Sequence, residues 1–314
     1  MLRTVLGRTA LALGAAGVGA FAWGSLVERN SFRVRREIVP VLAPGSHPIT
    51  VLHLSDLHLA PWQHRKAEWV RSLTLFRPDF VVNTGDNLGH PDAIDMVAYA
   101  LEPLRGIPGV WVNGSNDYFG PTLKNPFTYF TGPSKRPARP TRLDTPRLET
   151  VFRDLGWRSL NNAATSISVA GTRLELFGVD DPHIGYDRLE LLPGVLDELR
   201  ESAQATDEPV LTVGVTHAPY QRALNSFVTH GAELIFAGHT HGGQVCIPGF
   251  GALVTNCDLP RKKVAGLSSW NHALHSAVLN VSAGIGTSIY APVRFACKPE
   301  AVIVTLVGSD IGYS

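Results

Sequence analysis

Asp, Asn and His residues recur along this chain at one kind of position, directly after short apolar runs that favour β-strands. These runs alternate with helical patterns, which indicates an α/β fold. Because open α/β sheets bind ligands at the carboxyl ends of their strands, five such turns can converge on one pocket. The motifs, in chain order, are Asp56 and His58 in Ser-Asp-Leu-His, Asp86 in Thr-Gly-Asp-Asn, Asn116 and Asp117 in Gly-Ser-Asn-Asp, His217 in Thr-His-Ala-Pro, and His239 and His241 in Gly-His-Thr-His-Gly-Gly.

The predicted strands and helices between these motifs are short. Period-2 and continuous apolar runs predict the strands, and 3.6-residue spacing predicts the helices. Strands are expected at 49–54, 80–82, 110–112, 165–169, 174–179, 210–215, 234–237, 277–281 and 301–306, and helices at 64–76, 92–104 and 187–202.

The donor set indicates the chemistry. Seven potential ligands are too many for one tetrahedral ion, but they suit two ions that share a carboxylate. His and Asp together suit Mn, Fe or Zn, so we expect two divalent metal ions as cofactor. A two-metal centre stabilises both the attacking and the leaving oxygen of a displacement at phosphorus. The three cysteines form no Cys-x-x-Cys pair, which argues against a cysteine zinc site.

Taken in order, the motifs resemble the signature of the calcineurin-like metallophosphoesterase family, over roughly residues 49–306. The resemblance implies a four-layer αββα sandwich with two mixed sheets. It implies one metal held by Asp56, His58 and His241, and a second held by His217, His239 and an amide. Asp86 would bridge the ions, and a hydroxide between them would be the nucleophile. The predicted catalytic residues are Asp86, Asn116 and His217.

The third motif departs from the family pattern, which has Asn and His where this chain has Ser115 and Asn116. The amide ligand is therefore Asn116 after a one-residue shift, or else Ser115 or water fills that position. The family's His assists the leaving group, and its loss favours a good leaving group or a substitute acid. Candidates for that acid are His64, His90 and His183. The Asp180–His183 segment is either part of the site or a capped turn.

The N-terminal 36 residues differ in character from the rest. They carry six Arg against one acid, and residues 9–27 are an uncharged run of 19. A helix of that length spans about 28 Å, close to a bilayer core. We predict one N-terminal transmembrane helix that holds the protein at the cell membrane, with a cleaved secretory signal as the alternative. Arg residues on both sides leave its orientation open. The predicted domains are 1–36, an anchor with a basic flank, and 37–314, the catalytic domain.

A proline-rich basic loop is expected at 118–147, with six Lys or Arg and one acid. It follows the third motif, so its start must lie near the pocket. It either recruits an anionic, lipid-linked substrate or is a solvated loop. The sequence identifies no substrate-binding residues.

The sequence thus predicts a membrane-tethered dinuclear metal-dependent phosphoesterase. Its substrate would be a phosphodiester or pyrophosphate, lipid- or nucleotide-linked. Segments near 242–251 and 284–300 resemble a membrane-associated bacterial branch that includes UDP-2,3-diacylglucosamine pyrophosphatase-like enzymes. The alternatives are a phosphodiesterase for soluble cyclic nucleotides and a non-catalytic scaffold. With a net charge of +1 and no stacking platform, no nucleic-acid partner is expected.

Overall fold

Two six-stranded mixed sheets form the centre of the protein, in a computed structural model that describes residues 2–122, 140–202 and 208–309. In spatial order, the first sheet contains β1 (Arg33–Leu42), β14 (Glu300–Gly308), β2 (Ile49–Leu54), β3 (Phe80–Asn83), β4 (Gly109–Trp111) and β5 (Trp157–Ser159). The second contains β12 (Gly266–His272), β13 (His275–Val281), β9 (Leu234–Ala237), β8 (Val210–Val215), β7 (Thr172–Gly178) and β6 (Ala163–Val169). A separate two-stranded ribbon joins β10 (Cys246–Ile247) to β11 (Gly251–Ala252).

Helices pack on the outer faces of both sheets. In chain order, the helices are α1 (Leu2–Ala22), α2 (His64–Ser72), α3 (Ile94–Leu101), α4 (Ser115–Tyr118), α5 (Thr145–Leu155), α6 (Leu192–Ser202) and α7 (Gln221–Thr229). Buried residues of α2, α3 and α5 pack on the first sheet, and those of α6 and α7 pack on the second. A third apolar cluster lies between the sheets, where Phe80 and Val51 meet Phe236 and Val213. The result is the predicted order of helices, sheet, sheet and helices.

Parallel pairing brings the site-bearing turns together. Strands β2, β3, β4 and β5 run parallel, as do β7, β8, β9 and β13. All four residues of β3 are buried, which explains why it is continuously apolar in sequence rather than alternating. The carboxyl ends of β2, β3, β4, β8 and β9 carry the five polar motifs.

The predicted strands at 49–54, 210–215 and 234–237 have the bounds observed for β2, β8 and β9. The helix predicted over 64–76 is α2 followed by a 3-10 turn at Leu73–Phe76. Strand β1 was not predicted, because its arginines were interpreted as the basic flank of the N-terminal segment. Arg33 and Arg35 in it bind the buried carboxylate of Glu300 at 2.7 and 3.0 Å. The domain boundary predicted after residue 36 therefore lies inside a strand.

The N-terminal prediction needs a correction. Helix α1 ends at Ala22, and the last five residues of the uncharged run form a π-helical turn, Trp23–Val27. This turn packs on the body: Gly24 is buried, and its carbonyl accepts a hydrogen bond from the N–H of Arg294 at 3.2 Å. Within the described residues, no helix combines the length and the apolarity that crossing a bilayer requires. The predicted transmembrane helix is therefore not supported.

The two ends of the loop predicted at 118–147 are hydrogen bonded to each other. The N–H of Gly120 donates to Thr141 O at 2.8 Å, and the N–H of Leu143 donates to Tyr118 O at 2.9 Å. Helix α5 then begins at Thr145, so the loop is shorter than predicted at this end. Residues 123–139, with Lys124, Lys135, Arg136 and Arg139, lie outside the described residues.

Candidate metal centre

The seven residues predicted as metal ligands lie together at the carboxyl edge of the two sheets. Each is carried on a short turn or loop, and the sheets approach each other so that turns from both face the same space. Asp56 and His58 follow β2, Asp86 follows β3, Asn116 lies on α4 after β4, His217 follows β8, and His239 and His241 follow β9.

Asp56, His58 and His241 form a first group that could hold a metal, with ligand atoms within 4.8 Å of one another. His241 Nε2 lies 3.5 Å from Asp56 Oδ1 and 3.2 Å from His58 Nε2. Asp56 Oδ1 is buried, and no described residue donates a hydrogen bond to it. A buried carboxylate oxygen without a donor is costly unless a cation binds it, so this group fits a metal.

Asp56, Asp86 and His217 form a second such group. His239 lies beside it, with its Nδ1 at 3.2 Å from His217 Nε2. Asp86 Oδ2 is 3.5 Å from His58 Nε2 and also 3.5 Å from His217 Nε2. One carboxylate oxygen therefore lies midway between the two histidine groups.

The ring nitrogens on the far sides of two histidines have backbone acceptors. His217 Nδ1 lies 2.7 Å from Thr84 O, and His239 Nε2 lies 3.1 Å from Asn256 O. Since a carbonyl oxygen can only accept, each of these nitrogens carries the proton. The opposite nitrogens, His217 Nε2 and His239 Nδ1, face the site, as metal ligation requires.

Five of the seven residues hold a left-handed backbone conformation. Their φ angles are 51° for Asp56, 39° for His58, 57° for Asp86, 69° for His239 and 49° for His241. Each such residue costs about 1–3 kcal/mol and persists where the surroundings impose it, commonly at functional sites. These turns aim the side chains inward.

The close approach of two loops requires glycine at position 114. A Cβ there would lie 2.3 Å from Asp86 Oδ1 and 2.8 Å from His217 Cε1. Any side chain would therefore push apart the third motif and the two residues at the centre of the site. This explains the Gly at the start of Gly-Ser-Asn-Asp.

The third motif places Asn116, rather than Ser115, against the carboxylate of Asp86. The backbone N–H of Asn116 donates to Asp86 Oδ1 at 2.8 Å, and its Nδ2 lies 2.7 Å from Asp86 Oδ2. Among the described residues, none hydrogen bonds to the Ser115 hydroxyl. Which amide atom faces the site is assigned from hydrogen bonding, and a rotated amide would present Oδ1 there instead.

Electrostatics in the site favour positive charge. Burial raises the pKa of Asp56 to about 6. Burial also opposes protonation of His217, but the carboxylates of Asp86, Asp181 and Asp56 outweigh it and raise its pKa to about 9. Burial lowers the pKa of His58 to about 4, so this imidazole is neutral and able to ligate at neutral pH. Buried carboxylates with neutral imidazoles are the setting in which a divalent cation binds well.

Asp117 organises the site from behind, a role that the sequence did not reveal. It is fully buried and accepts hydrogen bonds from the backbone N–H groups of Asp86, Asn87, Leu88 and Gly114 at 2.7–3.3 Å. These donors belong to the second and third motifs. One carboxylate therefore joins the two loops, and the only sequence signal was its place beside Asn116.

Of the three candidate acids, His183 lies at the site. Its ring centroid is 4.4 Å from that of His239, and its backbone N–H donates to Asp181 Oδ1 at 2.8 Å. His90 packs edge-on against Trp62, and His64 is exposed at the start of α2. The Asp180–His183 segment is therefore part of the site. A role for His183 as the acid stays a prediction.

Arg294 is a further residue that the sequence did not reveal. It is 0% exposed, its Nη2 lies 3.3 Å from His241 Nδ1, and it donates to the carbonyls of Ala283 and Gly286 at 2.7 Å each. It fixes the loop that follows β13 against His241. It lies in an irregular segment about 50 residues from that histidine, so no local pattern pointed to it.

The two mixed sheets and this set of histidines and carboxylates define a metal-dependent phosphoester hydrolase. Residues 49–243 match the model of the calcineurin-like phosphoesterase family, and the chain belongs to that family. Membership of this family supports a metal-dependent phosphoester hydrolase.

Known proteins similar to the chain include an uncharacterized metallophosphoesterase of Bacillus subtilis, YkuE. It is 25% identical over 303 residues, which cover 95% of this chain and 91% of that protein. A transmembrane protein with a metallophosphoesterase domain from Bos taurus is 27% identical, over 66% of this chain and 44% of that protein. Among solved structures, a dimetal phosphatase from Danio rerio has a TM-score of 0.41 and 13% identity, over 76% of this chain and 88% of that one.

Proposed function

We propose that this protein hydrolyses a phosphodiester or pyrophosphate with a pair of divalent metal ions. The observation that carries the proposal is the position of Asp86 Oδ2, which lies 3.5 Å from a histidine nitrogen of each group. A single carboxylate between two sets of imidazole nitrogens is the arrangement that a bridged metal pair needs.

The ligand assignment is the one that the family resemblance implies, and these contacts support it. One ion would be held by Asp56, His58 and His241, and the other by His217, His239 and Asn116, with Asp86 between them. Mn, Fe or Zn in these positions would supply Lewis acidity and lower the pKa of a water nucleophile.

The protein's own residues position this donor set. Thr84 O and Asn256 O fix the ring orientations of His217 and His239, so their ligand nitrogens face inward. The backbone N–H of Asn116 donates to Asp86 Oδ1, and its Nδ2 donates to Asp86 Oδ2, the oxygen that also faces the two histidine groups. Preorganisation of this kind removes the reorganisation cost at the moment of reaction.

The third motif bears on the substrate. Its usual His is replaced by Asn116, so leaving-group protonation is either unnecessary or supplied by another group. A pyrophosphate or an activated diester, with a leaving group of low pKa, suits the first case. We therefore favour an anhydride or diester substrate, lipid- or nucleotide-linked, as in the branch resembling UDP-2,3-diacylglucosamine pyrophosphatase-like enzymes.

Membrane attachment is a separate part of the proposal. The apolar side chains of Leu11, Val18 and Phe21 on α1 are 75%, 71% and 62% exposed, so they are available to an apolar surface. The bovine relative is named as a transmembrane protein. Co-flotation with phospholipid vesicles tests this attachment.

Hydrolysis of bis-p-nitrophenyl phosphate by metal-depleted protein, resupplied with Mn, Zn or Fe, tests the function. We expect no turnover without metal and recovery that saturates at two equivalents per chain, measured by elemental analysis beside the rate. Recovery complete at one equivalent would contradict the metal pair. Turnover that persists in the metal-depleted protein would contradict metal-dependent hydrolysis altogether.

Replacing Asn116 with Ala should lower the affinity for one of the two metal equivalents. We expect about a 10-fold to 100-fold weaker second equivalent and a matching loss of rate at low metal concentration. The control is Ser115→Ala, which removes a hydroxyl with no hydrogen bond to any described residue. If Ser115→Ala weakens metal binding and Asn116→Ala does not, the amide assignment is wrong and Ser115 fills that position.

A further inference from the structure

A cavity of about 310 Å³ lies beside the metal centre. Its walls come from three places: the segment that follows α1, the start of α2, and the loop after β13. We call it the cationic cavity, and its walls include Arg29, Phe32, Trp62, Arg65, Lys66 and Ile289. None of the residues assigned above to the metal centre is among its lining residues.

The charges on its walls are of one sign. Arg29, Arg65 and Lys66 contribute three basic side chains, and no carboxylate is among the described residues that line the cavity. Arg29 Nε is buried and has no hydrogen-bond partner in the part of the chain that the structure describes. Like charges in a partly buried space repel each other. A bound anion would relieve that repulsion and satisfy the guanidinium.

Lys66 adds a directed donor to this wall. It is only 7% exposed, and its Nζ donates to the backbone carbonyls of Leu57 at 2.7 Å and His58 at 2.9 Å. An ammonium group has three N–H donors, so one remains for a ligand. Because both carbonyls belong to the first metal motif, this lysine fixes the cavity directly against the metal centre.

The loop after β13 forms the shared wall between the two spaces. A Cβ at Gly286, which lines the cavity, would lie 2.8 Å from His58 Cβ. The cavity and the first metal group are therefore separated by the thickness of one loop. A ligand bound in the cavity would therefore lie next to the first metal group, across this loop.

The rest of the lining combines polar residues, such as Gln63 and Ser288, with apolar and aromatic ones. Trp62 is 59% exposed at the rim, and Phe32 stacks on Trp69 with ring centroids 5.0 Å apart. Ile289 and Pro292 add aliphatic surface. A small inorganic anion would not use these groups, whereas a phosphate attached to an aromatic or acyl group would use both kinds of wall.

We propose that the cationic cavity binds a phosphate group of the substrate other than the one attacked at the metal centre. Guanidinium groups bind phosphate through paired N–H donors, and the apolar wall would hold the moiety attached to it. The inference rests on the proposed function, since it names the substrate class as a molecule with two phosphate groups. The second phosphate could come from a soluble pyrophosphate compound or from a lipid headgroup.

Two probes separate these sources without using turnover. The first is inorganic pyrophosphate, titrated calorimetrically into the metal-depleted full-length protein. The second is vesicles of phosphatidylcholine with and without phosphatidic acid, in a co-flotation assay. We expect Arg29→Gln and Arg65→Gln each to weaken binding of at least one probe by about 10-fold or more, because a hydrogen bond to a charged group contributes about 1.5–3 kcal/mol.

Arg71→Gln is the matched control. Arg71 lies on α2 with Arg65, but its guanidinium stacks on Tyr99 at 4.2 Å and lies outside the cavity lining. A loss confined to pyrophosphate assigns a soluble substrate, and a loss confined to phosphatidic acid vesicles assigns a lipid headgroup. Arg65→Lys keeps the charge on an exposed position but lacks the paired N–H donors, so it should retain only part of the binding that Arg65→Gln loses.

Unchanged binding of both probes in Arg29→Gln and Arg65→Gln would overturn the subsite, as would an equal loss in Arg71→Gln. A failure of the proposed function would give a different result from a failure of the subsite. If no diester is hydrolysed with any metal while the arginine-dependent binding persists, the hydrolase assignment fails and the anion site stands. If hydrolysis is metal-dependent and neither probe depends on these arginines, the subsite alone fails.

Discussion

Replacing Asp86 with Asn should reduce the metal-dependent kcat/KM for bis-p-nitrophenyl phosphate by about 10³-fold or more, since groups that act as one unit lose most of their effect together. Among the described side chains, Asp86 Oδ2 is the only carboxylate oxygen that lies 3.5 Å from both His58 Nε2 and His217 Nε2. The amide that replaces this carboxylate has the same shape but only one acceptor oxygen. It therefore keeps the hydrogen bond from the Asn116 N–H only when that oxygen faces the N–H. It also removes the negative charge that two cations would share.

Asp197→Asn is the control for this measurement, because Asp197 is an exposed carboxylate on α6. It should leave kcat/KM and metal stoichiometry unchanged. Thermal melting of both variants in the metal-depleted state should show that each is folded. If Asp86→Asn keeps two tightly bound equivalents and the wild-type rate, the bridging role is wrong, even if the protein is metal-dependent.

Replacing Asp117 with Ala should lower the free energy of unfolding by about 3–5 kcal/mol. The substitution leaves four buried backbone N–H groups without their shared acceptor, and each unsatisfied donor costs about 1–3 kcal/mol before relaxation or entry of water. Urea unfolding of the metal-depleted protein measures this directly. Metal binding should also weaken, since Asp86 sits on one of the loops that Asp117 joins.

Asp79→Ala is the matched control for stability. Asp79 is exposed, and its carboxylate accepts one backbone hydrogen bond, from Thr50 at 2.8 Å. Its loss should cost about 1 kcal/mol or less. Asp117→Asn, which keeps one carbonyl acceptor, should fall between the two. Equal destabilisation by Asp79→Ala and Asp117→Ala would show that the Asp117 network is not the element joining the loops.

The metal centre and the cationic cavity together explain how one protein could combine a common chemistry with a selective substrate. The metal centre is built from strand ends and short turns, which suit a fixed donor set. The cationic cavity is built from the segment after α1, the start of α2 and the loop after β13. Glu28 ties these segments together by accepting hydrogen bonds from the N–H groups of Ala296 and Cys297 at 3.0 and 2.7 Å.

The buried strands were predictable because burial on both faces demands continuous apolar runs. The bounds of β2, β8 and β9 follow directly from that requirement. Strand β1 was not predictable in the same way. Its Arg33 and Arg35 look like a solvated basic flank until Glu300, more than 260 residues away, is placed beside them. Local patterns carry no information about a partner that distant.

The uncharged N-terminal run, residues 9–27, is a second segment whose surroundings could not be predicted from local sequence. Its uncharged composition predicts a continuous membrane-spanning helix. In the structure, the last five residues form a π-helical turn that docks on the catalytic body through Gly24. A run of apolar residues is compatible with lipid and with a protein surface. Only the tertiary contacts distinguish the two.

What the sequence by itself determined is the identity of the seven residues that meet at the site. Parallel strands align their carboxyl ends, so polar residues placed after each strand must converge. The tertiary structure alone decided how they are held: Asp117 behind the loops, Arg294 beside His241, and Asn116 rather than Ser115 against Asp86. These contacts join segments that are distant in sequence or differ by a single residue in register, so their geometry exists only once both sheets are packed.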